Sequence, residues 1–279
     1  MFLIAPLRSG SKGNASLIET AHTRILIDCG GIASEDIWEN RLRIHPETLD
    51  AILVTHCHRD HLDDDGIDLA NDYGIPLYIH RSTCAAAERR LEAMEKLPTR
   101  LIHHFGERGF KIGDLRITPF RLSHQGPWNA KIGKCFGFAI KSRVGSRNYC
   151  LGYLTDAGTL SEANMEALVG CHCLVLESNH DVRMERDSDR NPRHISWILS
   201  RDGHLSNDKA AEAVRYILDN QSEPLLRDVI LVHLSKDCNT QAKALRAVSK
   251  ATAESRGRKP RIYCAEQYDR LRFIRIDRG

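Results

Sequence analysis

The sequence has no apolar run that approaches the length of a membrane-spanning helix, and it has almost no excess of either charge. The first observation argues against a membrane-spanning protein, since a span needs about 20 apolar residues. Residues 1–6 also lack the charged and apolar segments of a signal peptide. The net charge of +3 is compatible with a nucleic-acid partner but does not require one.

The nine cysteines are odd in number, scattered, and without zinc-finger spacing. They therefore predict free thiols and a cytoplasmic location rather than a disulfide framework. We expect Cys171 and Cys173 to be strand residues. Cys57 stands between two histidines, and we expect it to be a spacer that points inward. A thiolate metal ligand is the alternative for Cys57.

No low-complexity segment, repeat or linker divides the 279 residues, so we expect a single domain over residues 1–279. Strand and helix patterns intermingle, which predicts layered α/β (α+β) structure rather than a helix bundle. The predicted strands are residues 2–5, 16–19, 24–28, 51–55, 77–80, 100–103, 115–122, 136–141, 149–155, 174–177, 229–233, 261–264 and 272–276. The predicted helices begin at caps Ser82, Asn207 and Asn239 and end near residues 96, 220 and 254. Residues 181–193 and 254–261 are expected to be exposed loops.

The segment 55–61 packs three histidines and one aspartate behind the apolar run 51–54. That run predicts a buried strand, so the four side chains would project from its carboxyl end. Imidazole and carboxylate groups are ligands of zinc, manganese and iron. One tetrahedral ion cannot easily use four donors from so tight a loop, which indicates two adjacent ions suited to hydrolysing phosphate esters. A polar turn with chance histidines is the disfavoured alternative. The four donors are His56, His58, Asp60 and His61.

Two ions need further ligands, and three other apolar strands end in residues of the same type. These residues are His124, Asp156 and His233. Strand ends are rigid and open onto a cleft, where a site can be built. Each residue alone is more often a structural polar group, but the repeated pattern favours ligands.

The seven residues resemble the signature of the metallo-β-lactamase superfamily, an HxHxDH loop followed by a histidine, an aspartate and a final histidine. Segments 9–14, 177–181, 203–207 and 233–239 resemble the YycJ/WalJ-type bacterial exonuclease group, although His180 replaces an expected aromatic residue. The resemblance implies a four-layer αββα sandwich with two divalent ions, zinc or manganese, where the sheets meet. It also implies that His56, His58 and His124 hold the first ion, that Asp60, His61 and His233 hold the second, and that Asp156 bridges both.

The resemblance further implies a dinuclear metal-dependent phosphodiesterase, a DNA exonuclease acting on 5′ ends through a metal-bridging hydroxide. A ribonuclease of the same superfamily is an alternative, as is a small-molecule hydrolase such as a lactonase, thioesterase or cyclic phosphodiesterase, because one fold hosts many chemistries. No large insertion separates Asp156 from His233, which disfavours the larger RNA-processing relatives. A metal-free binding or redox protein is a third class, disfavoured by the complete ligand set.

Two residues are predicted to be catalytic. Asp60 would orient the attacking hydroxide. His204 precedes a predicted helix N-terminus, where free N–H groups favour an anion. It would bind the scissile phosphate or protonate the leaving oxygen, with a metal ligand or a plain loop histidine as alternatives. Asp28 would hold a ligand histidine in the right tautomer, or simply form a turn.

Substrate contacts are predicted in two places. The loop 9–14 offers Ser9, Ser11 and Asn14 to a phosphate, although a flexible hairpin turn explains it equally well. Asn179 and His180 follow a strand end and could line the cleft. Two basic sets are interpreted as solvated surface, although the second could track a DNA backbone. The first set is Arg183, Arg186, Arg190 and Arg193, and the second is Lys243, Arg246 and Lys250.

Overall fold

The computed structural model describes residues 1–32, 45–127, 130–255, 259–265 and 273–278. Its strands form two sheets of seven, ordered β14-β1-β2-β3-β4-β5-β6 and β13-β12-β11-β10-β9-β8-β7. The strands are β1 (Phe2–Arg8), β2 (Ala15–Thr20), β3 (Arg24–Ile27), β4 (Ala51–Leu53), β5 (Leu77–His80), β6 (Ile102–Phe105), β7 (Phe110–Ile112), β8 (Leu115–Leu122), β9 (Cys135–Val144), β10 (Arg147–Leu154), β11 (Cys173–Glu177), β12 (Asp228–Val232), β13 (Arg261–Cys264) and β14 (Ile274–Arg275). The helices are α1 (Asp64–Asp72), α2 (Arg81–Ala87), α3 (Glu162–Glu166), α4 (Val182–Arg186), α5 (Pro192–Ile198), α6 (Asn207–Asn220) and α7 (Gln241–Glu254).

Each sheet changes from antiparallel to parallel pairing part of the way across. In the first sheet, β1 to β3 are antiparallel and β3 to β6 are parallel. In the second, β7 to β10 are antiparallel and β10 to β13 are parallel. Parallel strands end at a common edge, which is where open α/β sheets place their ligands. The loops after β4, β10 and β12 therefore open at the carboxyl edges of their sheets.

The apolar side chains form three layers. One layer lies between the sheets and includes Ile4 and Phe138. A second lies between the first sheet and α1 and α2, with Ile67 from α1. The third lies between the second sheet and α3, α6 and α7, with Val214 and Val248 from the two long helices. Burial of these faces is the main favourable term in folding. Two sheets packed face to face, with helices on both outer sides, confirm the predicted four-layer αββα sandwich.

The first predicted helix is wrong at its cap, which is His80 rather than Ser82, and in its second half. Instead of continuing to residue 96, α2 ends at Ala87, and a separate 3₁₀ turn follows at Glu92–Glu95. Arg90 turns away to donate from Nη1 to the backbone oxygen of Cys57 at 2.6 Å. This contact holds the chain against the loop after β4. The helix therefore ends before residue 90, although the apolar periodicity of the sequence continues.

The long helices agree better with prediction. The N-cap of α6 is Ser206 rather than Asn207, and that of α7 is Thr240 rather than Asn239. The last predicted strand shrinks to β14, and its first residue, Arg272, lies outside the described residues. The loop expected at 254–261 lies partly outside them as well. Among the described residues, no helix combines the length and apolar character needed to cross a membrane.

The segment 181–193 is not simply the exposed loop that its charge predicts. It contains α4, capped by Asp181, whose side chain accepts from the Met184 N–H. Glu185 in that helix is completely buried and pairs with Arg190, whose Nη1 lies 3.1 Å from Oε2 of Glu185. The acidic and basic residues of this segment therefore partly satisfy one another inside the protein.

Candidate metal centre

The loop after β4 is held in shape by a buried aspartate from the neighbouring strand β3. Asp28 accepts from the Thr55 N–H and from Thr55 Oγ1, both at 2.8 Å. Its Oδ2 also lies 2.7 Å from Nδ1 of His61. The turn closes where the His61 N–H donates to the His58 oxygen at 2.9 Å. Asp28 thus contacts a candidate ligand, as predicted, while also shaping the turn.

All seven predicted ligands come together at the edge where the two sheets meet. Three imidazoles form one group, in which His58 Nδ1 lies 3.0 Å from His56 Nε2 and 3.1 Å from His124 Nε2. A second group contains Asp60, His61 and His233. In it, the Asp60 Oδ2 lies 3.2 Å from Nε2 of His233 and 3.8 Å from Nε2 of His61.

Asp156 lies between the two groups. Its Oδ2 is 2.9 Å from His61 Nε2, and its Oδ1 is 3.8 Å from His124 Nε2. Both oxygens are buried and lie among imidazole nitrogens, with Nδ1 of His204 and of His233 each 3.3 Å from Oδ1. A buried carboxylate is costly unless positive charge, from protonated imidazoles or from a metal ion, lies beside it. The donor set, imidazole nitrogens with carboxylates, suits divalent metals, so these clusters indicate divalent metal binding.

Four of the five histidines share one orientation, with Nδ1 held by the protein and Nε2 facing the cluster. The partners of Nδ1 fix the tautomer and ring position, as expected around metal ligands. These partners are Thr55 Oγ1 for His56 (2.9 Å), Asp28 for His61 (2.7 Å), the Gly203 oxygen for His124 (2.7 Å) and Glu177 for His233 (3.0 Å). His58 differs, because its Nδ1 faces the cluster.

The two groups differ in charge. Burial lowers the pKa of His56 well below its usual range, and burial with neighbouring imidazoles lowers the pKa of His58 to about 3. Burial likewise lowers the pKa of His124 to about 4. In the second group burial also lowers the pKa of the histidines, but the nearby carboxylates raise it by more. Asp156, Asp60 and Glu177 raise the pKa of His233 to about 10, and Asp156 and Asp28 raise the pKa of His61 well above its usual range.

Glu177 is the site residue that the sequence analysis missed. It is fully buried at the end of β11, and its Oε1 lies 2.7 Å from His204 Nδ1 and 3.0 Å from His233 Nδ1. Burial raises its pKa, but His204 and His233 outweigh this and lower the pKa to about 2. It ends an apolar strand, as Asp156 and His233 do, and the same rule could have identified it.

His204 lies near the cluster, as predicted, but not because free N–H groups at a helix N-terminus are available to an anion there. The nearby backbone N–H groups are already used within the protein, since that of Leu205 donates to Glu177 at 3.0 Å and that of Asn207 to His180 at 2.9 Å. The anion beside this helix start is therefore the carboxylate of Glu177. His204 itself is 13% exposed and lines the cleft beside Asp156.

The other four residues predicted to bind substrate occupy different environments. Ser9 is buried, and its Oγ accepts from the His233 N–H at 2.7 Å. Asn14 is buried and donates from Nδ2 to Asp60 Oδ2 at 3.2 Å. Asn179 donates to the His233 oxygen at 2.8 Å and also lines the cleft. Ser11 is exposed at the cleft wall.

A cleft of about 580 Å³ opens onto the cluster. Besides His58, Asp60, Asp156 and His233, it is lined by Trp197, His194 and Arg190. Arg190 is thus not simply solvated, as its segment predicts, since Nη2 also lies 3.2 Å from Ser235 Oγ and 3.1 Å from Asp237 Oδ2. His180 is buried and absent from the lining residues.

The Cys57 thiol points away from the cluster. Its Sγ donates to the Ile132 oxygen at 3.2 Å, and the residue belongs to the apolar layer behind the first sheet. This is the inward-pointing spacer expected from the sequence. The nine cysteines are all free thiols.

A four-layer sandwich with this cluster at the strand ends defines the class of metal-dependent hydrolases of the metallo-β-lactamase type. Residues 23–234 match the beta-lactamase superfamily domain. The chain is 33% identical over 246 residues to the exodeoxyribonuclease WalJ of Streptococcus pneumoniae, covering 87% of this chain and 85% of that one. It is 31% identical over 252 residues to the exodeoxyribonuclease YycJ of Bacillus anthracis, covering 89% and 88%. The chain therefore belongs to the beta-lactamase superfamily, in the group of WalJ and YycJ.

The fold has many solved counterparts of low sequence identity. The metallo-beta-lactamase fold protein YhfI from Bacillus subtilis superposes with a TM-score of 0.68 at 15% identity, covering 96% of this chain and 98% of that one. At this identity the likeness concerns the fold alone.

Proposed function

We propose that this protein is a dinuclear metal-dependent phosphodiesterase that removes nucleotides from DNA, acting at 5′ ends. The observation that carries the proposal is the buried carboxylate of Asp156, which lies between two groups of ligand-type side chains. The names of the relatives, both exodeoxyribonucleases at 31–33% identity, support DNA as the substrate.

We further propose two ions, zinc or manganese. His56, His58 and His124 would hold the first, Asp60, His61 and His233 the second, and Asp156 would contact both. Each of these two triads is one of the four overlapping clusters of ligand-type side chains in the described residues, and Asp156 belongs to the other two, which supports this. Two divalent ions lower the pKa of a bound water and offset the charge that develops on a phosphoryl oxygen.

Asp60 is the candidate acceptor that orients the attacking water. Its side chain is 24% exposed, so that a molecule in the cleft can reach it. The Asn14 side chain fixes Asp60 by donating to both its backbone oxygen (3.3 Å) and its Oδ2 (3.2 Å). The role of Asn14 in this proposal is to position Asp60. Ser9 positions His233 by accepting from its backbone N–H.

His204 is the candidate acid. Donation of its Nδ1–H to Glu177 leaves Nε2 as the nitrogen available to a bound molecule. A proton on Nε2 would pass to the leaving oxygen as the phosphodiester bond breaks. The scissile phosphate lies, in this proposal, among His204, Asn179 and Ser11, which line the same cleft.

We also propose that the chain forms one domain, which the pairing of β14 with β1 supports, since it brings Arg275 opposite Leu3. The free thiols of all nine cysteines support a cytoplasmic location.

The test uses 5′-labelled duplex DNA and chelator-stripped protein, with Mn²⁺ or Zn²⁺ added back and Asp60→Ala as control. We expect stepwise shortening that requires metal and disappears in the control; moving the label to the 3′ end then reports polarity. An absence of shortening with metal bound would contradict the proposal. Parallel assays with RNA, a lactone, a thioester and a cyclic phosphodiester would then identify the alternative substrate.

A further inference from the structure

A second cavity, of about 1210 Å³, lies on the other side of His124 from the cleft. We call it the basic groove. Six cationic side chains line it, and among the described residues the only acidic one is Asp202. The six are Arg89, Arg121, Lys131, Lys134, Arg201 and Lys209.

Most of this positive charge is not neutralised within the described part of the chain. Lys134 pairs with Glu107 at 2.9 Å, and Lys209 donates to the Gly158 oxygen. Four of the six are exposed and form no ion pair or side-chain hydrogen bond with described residues: Arg89, Arg121, Lys131 and Arg201. The single carboxylate of Asp202, whose Oδ1 accepts from the Ser123 hydroxyl at 2.8 Å, is outnumbered by the six cations.

The groove reaches the metal centre through a thin wall. His124 lines the groove, His58 lines the cleft, and their ring nitrogens are only 3.1 Å apart. Beside them, Trp197 of the cleft donates from Nε1 to the oxygen of Gln125 in the groove at 3.1 Å. Only the imidazole of His124 would therefore separate a nucleotide chain bound in the groove from the other candidate ligands.

The two cavities suit different parts of a nucleotide chain. The six cationic side chains that line the groove match the phosphates of a nucleotide chain. The cleft is smaller and carries the Trp197 and His194 rings, whose centroids lie 5.4 Å apart. Aromatic rings are the usual partners of unstacked bases.

We propose that the basic groove binds the sugar-phosphate backbone of the nucleic-acid strand that is being cut, on the side away from its terminal nucleotide. This inference rests on the proposed nuclease function and specifies how the substrate is held. The cations come from segments between residues 89 and 209 that are distant in sequence and meet only in the fold.

The test neutralises three groove cations, as Arg121→Gln, Lys131→Gln and Arg201→Gln together. Binding of fluorescent duplex DNA is measured by anisotropy against salt, in the Asp60→Ala background with Mn²⁺ present. We expect Kd to rise on the order of a hundredfold at 0.1 M salt and the slope of log K against log [salt] to fall by about 3.

The matched control removes three cations from α7, as Lys243→Gln, Arg246→Gln and Lys250→Gln. None of these residues lines the groove or the cleft. We therefore expect the salt slope of this control to change by less than one third of the change in the groove variant. An unchanged slope in the groove variant, or an equal fall in both variants, would overturn the proposal. A fall in the α7 variant alone would place the strand on that helix instead.

Two further arms keep the outcomes distinct. If the triple groove variant unfolds early in a thermal melt, Lys131→Gln alone is used, with an expected slope change of about 1. Shortening of labelled DNA by the unsubstituted protein is measured in parallel. If the DNA is shortened but the salt slope of the groove variant is unchanged, only the groove proposal is contradicted. If the DNA is neither shortened nor bound, both the proposed function and the groove proposal are contradicted.

Discussion

Three residues at the ends of strands adopt left-handed backbone conformations, each with a φ of 58°: Asp28, Asp156 and His233. A side chain in this region costs roughly 1–2 kcal/mol per residue, although aspartate and histidine tolerate it better than most. Contacts hold two of them in place, since Asp28 binds Thr55 and the His233 N–H binds Ser9. The strained backbone lies at the metal centre, where it directs these side chains into the cluster.

Glu177→Gln tests the carboxylate beneath the site. The substitution keeps the shape but removes the charge that orients His204 and His233. We expect metal affinity and kcat/KM to fall by about 10–100-fold. Metal content by mass spectrometry and steady-state kinetics measure both. Glu166→Gln, on the exposed face of α3, should change neither; equal behaviour of the two variants would contradict the role of Glu177.

His204→Ala tests the proposed acid. We expect kcat to fall by about 10²–10⁴-fold while both ions remain bound, because His204 belongs to neither proposed ligand group. The measurement compares single-turnover DNA cleavage with metal content. Near-normal turnover at full metal content would show that His204 has no part in proton transfer.

At this scale the sequence predicted the cluster well because each candidate ligand lies in the loop that follows an apolar strand. It gave Glu177 no role because a glutamate that ends a strand is common, although Glu177 opens segment 177–181 of the family resemblance. It also did not predict that Arg190 reaches back to Glu185 and Asp237, since those contacts depend on how α4 folds.

At the scale of elements, helices were predictable where caps and apolar periodicity agreed. Both conditions hold for α6 and α7, which were placed within a residue or two. They fail for α1, whose sequence carries three aspartates and Gly66 near its start and looks like a turn. Gly66 is needed there because a Cβ would lie 2.4 Å from Cys29 Sγ, a requirement visible only in the packed structure.

Gly30→Ala tests the contact between the end of β3 and the ligand loop. A Cβ at Gly30 would lie 2.1 Å from the Asp60 oxygen and 2.8 Å from the His61 nitrogen. The loop must therefore move, and we expect a loss of stability of about 1–3 kcal/mol together with weaker metal binding. Urea unfolding and metal titration measure these effects. Gly106→Ala, where a Cβ meets open space, is the control; equal stability of both variants would contradict the prediction.

At the scale of the whole molecule, the metal centre joins the two sheets. His56, His58, Asp60 and His61 come from the loop after β4 of the first sheet, whereas His124, Asp156 and His233 follow strands of the second. Each proposed ion takes ligands from both sheets. The sandwich architecture and this meeting point followed from the family resemblance, whereas the basic groove did not, because its cations meet only when the layers pack.

The charge difference between the ligand groups predicts that the two ions bind with different pH dependence. His61 and His233 have raised pKa values, so they carry protons at neutral pH without metal, and an ion must displace those protons. Affinity for the second ion should therefore rise with pH towards about 10. His56, His58 and His124 are already neutral at neutral pH, so affinity for the first ion should change little once the pH is well above about 4.

Calorimetric titration in buffers of different ionisation enthalpy counts the protons released with each ion. We expect few or none with the first ion and one or more with the second. Equal proton release in both steps, or release confined to the first, would contradict this assignment of charge to the two groups.

In the proposed function, two ions at the junction of the sheets cut DNA from its ends. The most direct measurement adds Mn²⁺ stepwise to chelator-stripped protein and follows the shortening of 5′-labelled duplex DNA at each equivalent bound. We predict that shortening appears with the second equivalent and is absent from Asp60→Ala at every step. Full activity with one bound ion, or no shortening with two, would contradict the claim.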